Sequence, residues 1–127
     1  MNLLNLISEV IMGRYYTGDI EGKFLFAIQS SDAADRFGVS GSQPSLFYYF
    51  DDSNLSDVED ELRNIAKNLG EKLIKIRHLW NHSFCNEDMK RLGISENDLG
   101  EFADFELGLK IRRCIKQQGY CEFEAEL

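Results

Sequence analysis

Two carboxylates and two tyrosines lie close together near the start of the chain, in the stretch RYYTGDIEGK from 14 to 23. Asp19 and Glu21 are two residues apart, and paired carboxylates can act as a general acid and base or bind a hard cation. The adjacent Tyr15 and Tyr16 could stack on a nucleobase. The glycines on either side of the carboxylates are equally typical of a turn that only faces water. The spacing leaves both interpretations open.

The polar stretch from 30 to 45, SSDAADRFGVSGSQPS, could complete a ligand pocket with the residues just described. It carries Asp32 and Asp35, which could bind a cation but are also typical of groups that cap a short helical turn. Gly38 and Gly41 could bring backbone amides close to a phosphate. No lysine follows them, as one would in a phosphate-binding loop. The predicted pocket would suit a small ligand such as a signalling nucleotide.

A metal-like pattern occurs in HLWNHSFC, from 78 to 85. His78 and His82 are four residues apart and would share one face of a helix, and the thiolate of Cys85 could add a soft ligand for zinc. The local sequence contains no fourth ligand, so Cys114 or Cys121 would have to supply it through folding. The alternative is a helix C-terminus, where histidines complement the negative end of the helix dipole.

The last eight residues, YCEFEAEL, alternate between acidic and apolar side chains. Such alternation predicts a strand that places Glu122, Glu124 and Glu126 on one side, about 6.7 Å apart. Asp51 and Asp52, at the end of another candidate strand, could extend this row into an acidic strip that resembles a phosphate backbone to a basic protein. Alternatively, the glutamates only protect an exposed sheet edge from unwanted pairing.

The elements that would position these groups predict an α+β fold for residues 1–127 as a single domain. Apolar residues at helical spacing predict a short N-terminal helix, one long helix near 56–80, and further helices between 86 and 115. Alternating or aromatic stretches predict strands near 23–29, 46–51 and 120–126. We expect a small antiparallel sheet, with the first two strands as neighbours, packed against the helices.

The composition limits the classes of partner. The chain of 127 residues has 22 acidic and 14 basic residues, which give a formal net charge of -8. This charge repels phosphate backbones and anionic lipids, so direct binding to nucleic acid or to a membrane is disfavoured. The apolar N-terminal segment lacks the basic start of a signal peptide, and three cysteines without framework spacing suit a reducing compartment. We therefore expect a cytoplasmic protein without a cofactor.

The segment RYYTGDIEGKFLFAIQSSDAADRFG, residues 14 to 38, resembles a set of small uncharacterised proteins of phages, mobile elements and their hosts. The resemblance implies an accessory role in phage biology and no particular chemistry. Many small acidic phage proteins block host defence nucleases, anti-CRISPR proteins among them, and this chain is similar to them in size and charge.

These observations predict a small acidic protein that is not an enzyme. Its acidic strip would bind and inhibit a basic, nucleic-acid-handling host protein. The alternative function is a small-ligand-binding protein or hydrolase that acts on a signalling nucleotide through the 15–45 region. A third possibility is a module that forms a homodimer through the apolar stripe of the long helix.

Overall fold

The computed structural model describes residues 14–25, 28–42, 46–80 and 86–126. The predicted N-terminal helix, and the candidate metal ligands His82 and Cys85, lie outside the described residues.

The described residues have an α+β fold, as predicted. The strands are β1 (Tyr15–Gly18), β2 (Gly22–Lys23), β3 (Leu46–Asp51) and β4 (Tyr120–Ala125). The α-helices are α1 (Leu55–Leu69), α2 (Lys72–Trp80), α3 (Asn86–Leu92) and α4 (Glu96–Gln118). Two short 3-10 helices cover Ala33–Phe37 and Asp52–Asn54. Among the described helices, none is both long enough and apolar enough to cross a membrane.

The four strands form one antiparallel sheet in the order β2, β1, β4, β3. The C-terminal strand β4 therefore lies inside the sheet, with β1 on one side and β3 on the other. We had expected the aromatic strand at 46–51 to pair with the strand near 23–29, and this expectation is wrong. The two lie at opposite edges, because β1 and β4 come between them.

Of the described residues in the strand predicted at 23–29, only Lys23 belongs to a strand, β2, which pairs with β1. The N–H of Phe24 donates to the carbonyl of Arg14 at 3.0 Å, and Phe24 and Leu25 are both buried. The backbone N–H of Gln29 donates to the carbonyl of Leu25 at 2.7 Å, and the Gln29 side-chain oxygen accepts from the Leu25 N–H at 3.0 Å. These local hydrogen bonds turn the chain and compete with strand pairing.

The helix predicted near 56–80 is two helices. Gly70 ends α1 with φ of 55° and ψ of -130°, a conformation that residues with a Cβ rarely adopt. The apolar stripe continues across this break, so periodicity alone could not reveal it. Most of the stripe is buried in the chain's own core, through Val58, Leu62, Ile65, Leu69 and Ile76. It is therefore not a free face for a second copy. The longest of the described helices is α4, which begins with a capping box formed by Ser95 and Asp98.

The core lies between the inner face of the sheet and the helices α1 and α4. Aromatic rings dominate the sheet side, where the ring of Phe123 stacks against that of Tyr48 with centroids 5.1 Å apart. On the helix side, Gly108 of α4 allows Phe37 and Leu62 to approach the helix backbone. A Cβ at this glycine would lie 2.5 Å from Cε1 of Phe37 and 2.8 Å from Cδ2 of Leu62.

This close approach predicts that Gly108→Ala lowers the free energy of unfolding by about 1–3 kcal/mol, because the added methyl overpacks the core. Without this overpacking, alanine in place of glycine would stabilise the helix interior, because alanine has the higher helix propensity. Gly100→Ala in the same helix is the control, since its methyl would meet Ile28, a half-buried side chain that can move. Urea unfolding followed by circular dichroism measures both variants. A Gly108→Ala protein as stable as the wild type would contradict the packing argument.

Candidate protein-binding face of the sheet

The sheet has one face on the core and one face in solvent. In an antiparallel sheet, residues directly opposite one another project to the same side. Glu124 lies opposite Thr17 of β1 and Phe47 of β3, and Glu122 lies opposite Tyr49. We call the solvent side the outer face. It comprises Lys23 of β2, Tyr15 and Thr17 of β1, Tyr120, Glu122 and Glu124 of β4 with Glu126 after it, and Phe47, Tyr49 and Asp51 of β3.

The glutamate row forms as the alternation predicts. Glu122, Glu124 and Glu126 are exposed, whereas Cys121, Phe123 and Ala125 are buried. The row does not protect a sheet edge, because β4 has a hydrogen-bonded strand on each side. Among the described residues, no ion pair involves the carboxylates of Glu122 and Glu124. Two like charges thus lie side by side in the middle of the outer face, and no other described residue pairs with them.

Aromatic rings flank the glutamates. These rings were not among the residues predicted from the sequence to form a site. Phe47, Tyr49 and Tyr120 remain 42%, 46% and 40% exposed. The rings of Tyr49 and Tyr120 stack with centroids 6.3 Å apart and planes 16° apart. The signal was present in LFYYFD, where alternate aromatics must point to opposite faces of a strand. A solvated sheet face is normally polar, so three large exposed rings on one face make the outer face a candidate interaction site.

Asp51 and Asp52, which we predicted to extend the acidic strip, have different surroundings. The Asp51 carboxylate accepts hydrogen bonds from the backbone N–H and the hydroxyl of Ser53, at 2.9 and 2.5 Å. It belongs to a capping box with Asn54 at the start of the second 3-10 helix. Asp52 is exposed, and its carboxylate lies near Gly119, just before β4. Asp52 therefore lies close to the start of β4, whereas Asp51 has a local structural role.

The two adjacent tyrosines face opposite sides of the sheet. Tyr16 is buried, with its ring against those of Phe24 and Phe123, and its hydroxyl accepts a hydrogen bond from Nζ of Lys110 at 2.8 Å. Tyr15 is half-buried on the outer face, where Nζ of Lys23 lies 5.7 Å from its ring centroid. The pair does not present two rings to one ligand.

Asp19 closes the hydrogen bonding between β1 and β4. Its carboxylate accepts from the N–H of Glu122 at 2.9 Å, and its own N–H donates to the Glu122 carbonyl at 2.7 Å. Gly18 makes this approach possible, because a Cβ there would lie 2.6 Å from the Glu122 carbonyl oxygen. The Asp19 side chain thus replaces a backbone acceptor at the end of β1.

A polar cleft brings Asp19 and Glu21 together, as the pocket hypothesis requires. The cleft has a volume of about 260 Å³ and also contains Lys110, Arg113 and Cys114. The backbone carbonyl of Glu21 accepts a hydrogen bond from Nζ of Lys110 at 2.9 Å. The volume lies below the range of about 300–1,000 Å³ that is usual for ligand pockets.

Asp32 and Asp35 do not line this cleft. Asp35 lies in the first 3-10 helix, where its carboxylate accepts from the Tyr48 hydroxyl at 2.6 Å and from the Gly41 N–H at 3.0 Å. Burial of the Tyr48 hydroxyl raises its pKa well above the usual range, and the nearby Asp35 charge raises it further. Asp32 accepts from the hydroxyl of Ser30. The structure thus spreads the six candidate ligand-binding residues over four places: the outer face (Tyr15), the core (Tyr16), the cleft (Asp19 and Glu21) and the first 3-10 helix (Asp32 and Asp35).

A charge cluster between the first 3-10 helix, α1 and α4 was not predicted from the sequence. The Arg36 guanidinium contacts the carboxylates of Glu61 at 3.0 Å, Glu101 at 3.1 Å and Asp104 at 2.7 Å. The other oxygen of Asp104 accepts from the buried Gln29 side chain at 2.8 Å. Burial raises the pKa of Asp104, although the hydrogen bonds from Arg36 and Gln29 oppose this effect. Because the partners are 25 to 75 residues apart in the chain, no local sequence pattern predicts these contacts.

The metal hypothesis concerns residues that the structure covers only in part. His78 is exposed on α2, beside Leu73, Ile74, Arg77 and Phe105. In the part of the chain that the structure describes, no group of three metal-ligating side chains could hold an ion. Cys114 and Cys121 are buried free thiols, and burial together with the Cys114 thiol raises the pKa of Cys121.

The outer face therefore stands apart from the other candidate sites, because its charges and its exposed rings have no role in the core. Comparisons with protein-family models, curated proteins and solved structures returned no match to this chain.

Proposed function

We propose that this protein binds a basic surface of another protein through the outer face of its sheet. By doing so it inhibits or modulates a host protein that handles nucleic acid. The observation that carries the proposal is the position of Glu122 and Glu124 on an inner strand with exposed aromatic rings beside them. Neither carboxylate forms an ion pair with another described residue.

Charge and rings contribute in different ways to such binding. The net charge of -8 attracts a basic partner over a long range and raises the association rate. Aromatic side chains supply most of the short-range affinity, since Tyr and other aromatic residues are enriched at the centres of protein interfaces. A regular sheet holds both kinds of group in fixed positions, so little conformational freedom is lost on binding.

The nature of the partner follows from the same surface. Carboxylates in a regular row present like charges along a line, as a nucleic-acid backbone does. A protein groove that holds nucleic acid through lysines and arginines would therefore also accept this face. The resemblance of residues 14 to 38 to phage and mobile-element proteins supports a host defence protein, as in anti-CRISPR inhibition.

The proposal is tested by reversing the central charges in Glu122→Lys/Glu124→Lys. The tagged wild type is used to capture proteins from nuclease-treated extract of its native host, and the captured protein is identified by mass spectrometry and purified. We expect the double variant to bind that protein about 100-fold more weakly. We also expect the wild type, but not the variant, to compete with nucleic acid for it.

The matched control is Glu71→Lys/Glu87→Lys, which changes the net charge equally at exposed positions outside the sheet. This control should retain most of the affinity. Equal weakening by both double variants would show that only net charge matters, and unchanged binding by the Glu122→Lys/Glu124→Lys protein would refute the role of the outer face.

A further inference from the structure

We propose that the outer face selects arginine over lysine, and that its partner presents arginines at alternate positions of an extended segment. This inference rests on the proposed function, because it specifies which basic group the outer face binds. It follows from the way in which carboxylates and rings alternate across β3 and β4.

Each central carboxylate has a ring as its cross-strand neighbour. Glu122 lies directly opposite Tyr49, and Glu124 lies directly opposite Phe47. Side chains opposite one another on neighbouring antiparallel strands have Cβ atoms about 4.5–5.5 Å apart. A cation that lies over either ring is therefore within reach of the carboxylate beside it.

This arrangement suits a guanidinium better than an ammonium group. The planar guanidinium can lie flat on an aromatic ring while the N–H groups at its edge donate to a carboxylate in the same plane. The lysine ammonium is a compact and strongly hydrated charge that does not stack in this way. Each pair of ring and glutamate therefore favours arginine.

The two pairs repeat at the period of a strand. Glu122 and Glu124 are two residues apart on β4, as Phe47 and Tyr49 are on β3, so the pairs are about 6.7 Å apart. Alternate side chains of an extended peptide have the same spacing. A segment that lies along β4 thus brings arginines at positions i and i+2 over successive pairs.

One ring is already held in place for this contact. Tyr49 stacks on Tyr120 with planes 16° apart, which restricts its rotation before any partner arrives. Among the described residues, no cation forms an ion pair with the two carboxylates, so an incoming arginine does not have to displace one. Preorganisation of this kind improves affinity by lowering the entropic cost of binding.

The test compares three fluorescent peptides of equal length and charge. The first alternates arginine with threonine, the second alternates lysine with threonine, and the third has its arginines in one block. Fluorescence anisotropy at physiological salt measures their affinities for the wild-type protein. We expect the alternating arginine peptide to bind about tenfold more tightly than either of the others.

Two double variants assign the preference to the pairs. Phe47→Leu/Tyr49→Leu should bind the alternating arginine and lysine peptides equally, and Glu122→Gln/Glu124→Gln should weaken both peptides. Circular dichroism and thermal unfolding confirm that both variants are folded.

The possible failures separate this inference from the proposed function. Equal affinity of the wild type for arginine and lysine peptides, with both weakened by Glu122→Gln/Glu124→Gln, overturns the arginine preference and leaves the proposed function intact. An arginine preference that survives Phe47→Leu/Tyr49→Leu overturns the stacking geometry. Absence of binding to any peptide overturns the inference, while the capture experiment decides the proposed function independently.

Discussion

Replacing Arg36 with methionine is expected to lower the free energy of unfolding by about 3 kcal/mol at neutral pH. The substitution keeps an unbranched apolar stem but removes the cation that Glu61, Glu101 and Asp104 share. Three carboxylates then remain close together and partly buried. This outcome is costly because the lost attraction no longer offsets their repulsion and desolvation. Urea unfolding followed by circular dichroism measures the loss.

The loss of stability in the Arg36→Met variant should decrease as the pH falls toward about 4. Burial raises the pKa of Asp104, while the hydrogen bond from Arg36 opposes this rise. Without Arg36 the folded-state pKa of Asp104 rises further. A carboxylate with a raised pKa favours the folded state at low pH, and this contribution is lost as the pH rises through that pKa. The difference in unfolding free energy between the variant and the wild type is therefore largest at neutral and alkaline pH.

Arg63→Met is the matched control for this prediction. Arg63 is 70% exposed, and its ion-pair partner among the described residues is Asp60, three residues earlier on α1. Exposed pairs of this kind contribute little, so we expect a loss within about 0.5 kcal/mol and little change with pH. Equal losses in the two variants would show that the Arg36 cluster does not stabilise the fold.

The second large effect is expected for Phe123→Ala, which should lower the free energy of unfolding by about 4 kcal/mol. Phe123 lies on the inner strand β4, is 1% exposed, and its ring contacts those of Tyr16, Tyr48 and Phe50. Its removal leaves a cavity. The backbone cannot move in to close this cavity, because β4 is hydrogen-bonded to a strand on each side. Guanidinium unfolding followed by tryptophan fluorescence or circular dichroism measures the change.

Phe47→Ala is the control on the opposite face of the same sheet. Phe47 is exposed beside Glu124, so its removal should change stability by less than about 1 kcal/mol while weakening partner binding. The two variants thus separate folding from binding. A large loss of stability in the Phe47→Ala protein would mean that the outer face stabilises the fold and is not reserved for a partner.

The outer face shows which structural features local sequence patterns could predict and which they could not. The alternation of YCEFEAEL was sufficient to predict the row formed by Glu122, Glu124 and Glu126, because strand geometry divides alternate residues between two faces. It was not sufficient to predict the neighbours of that row. Phe47 and Tyr49 lie beside the glutamates only because β3 pairs with β4 in this register, and the register is set by the core on the other face.

The candidate ligand residues illustrate the opposite case. The pocket hypothesis placed Asp19 in one site with the polar stretch from 30 to 45, which contains Asp35. In the folded protein, each accepts hydrogen bonds from a distant element, the Glu122 backbone and the Tyr48 hydroxyl. Partners that are far apart in the chain meet only through tertiary packing, so spacing within a segment could not identify them.

The amino-acid sequence by itself determined the α+β class, the apolar stripes that form the core, and the acidic face of the last strand. These features depend on periodicities of two and 3.6 residues, which are properties of the local backbone. Only the tertiary structure decided that β4 lies inside the sheet, that Gly70 divides the helical stripe, and that Arg36 joins three carboxylates. These features depend on contacts between residues far apart in the chain, which burial of a common core selects.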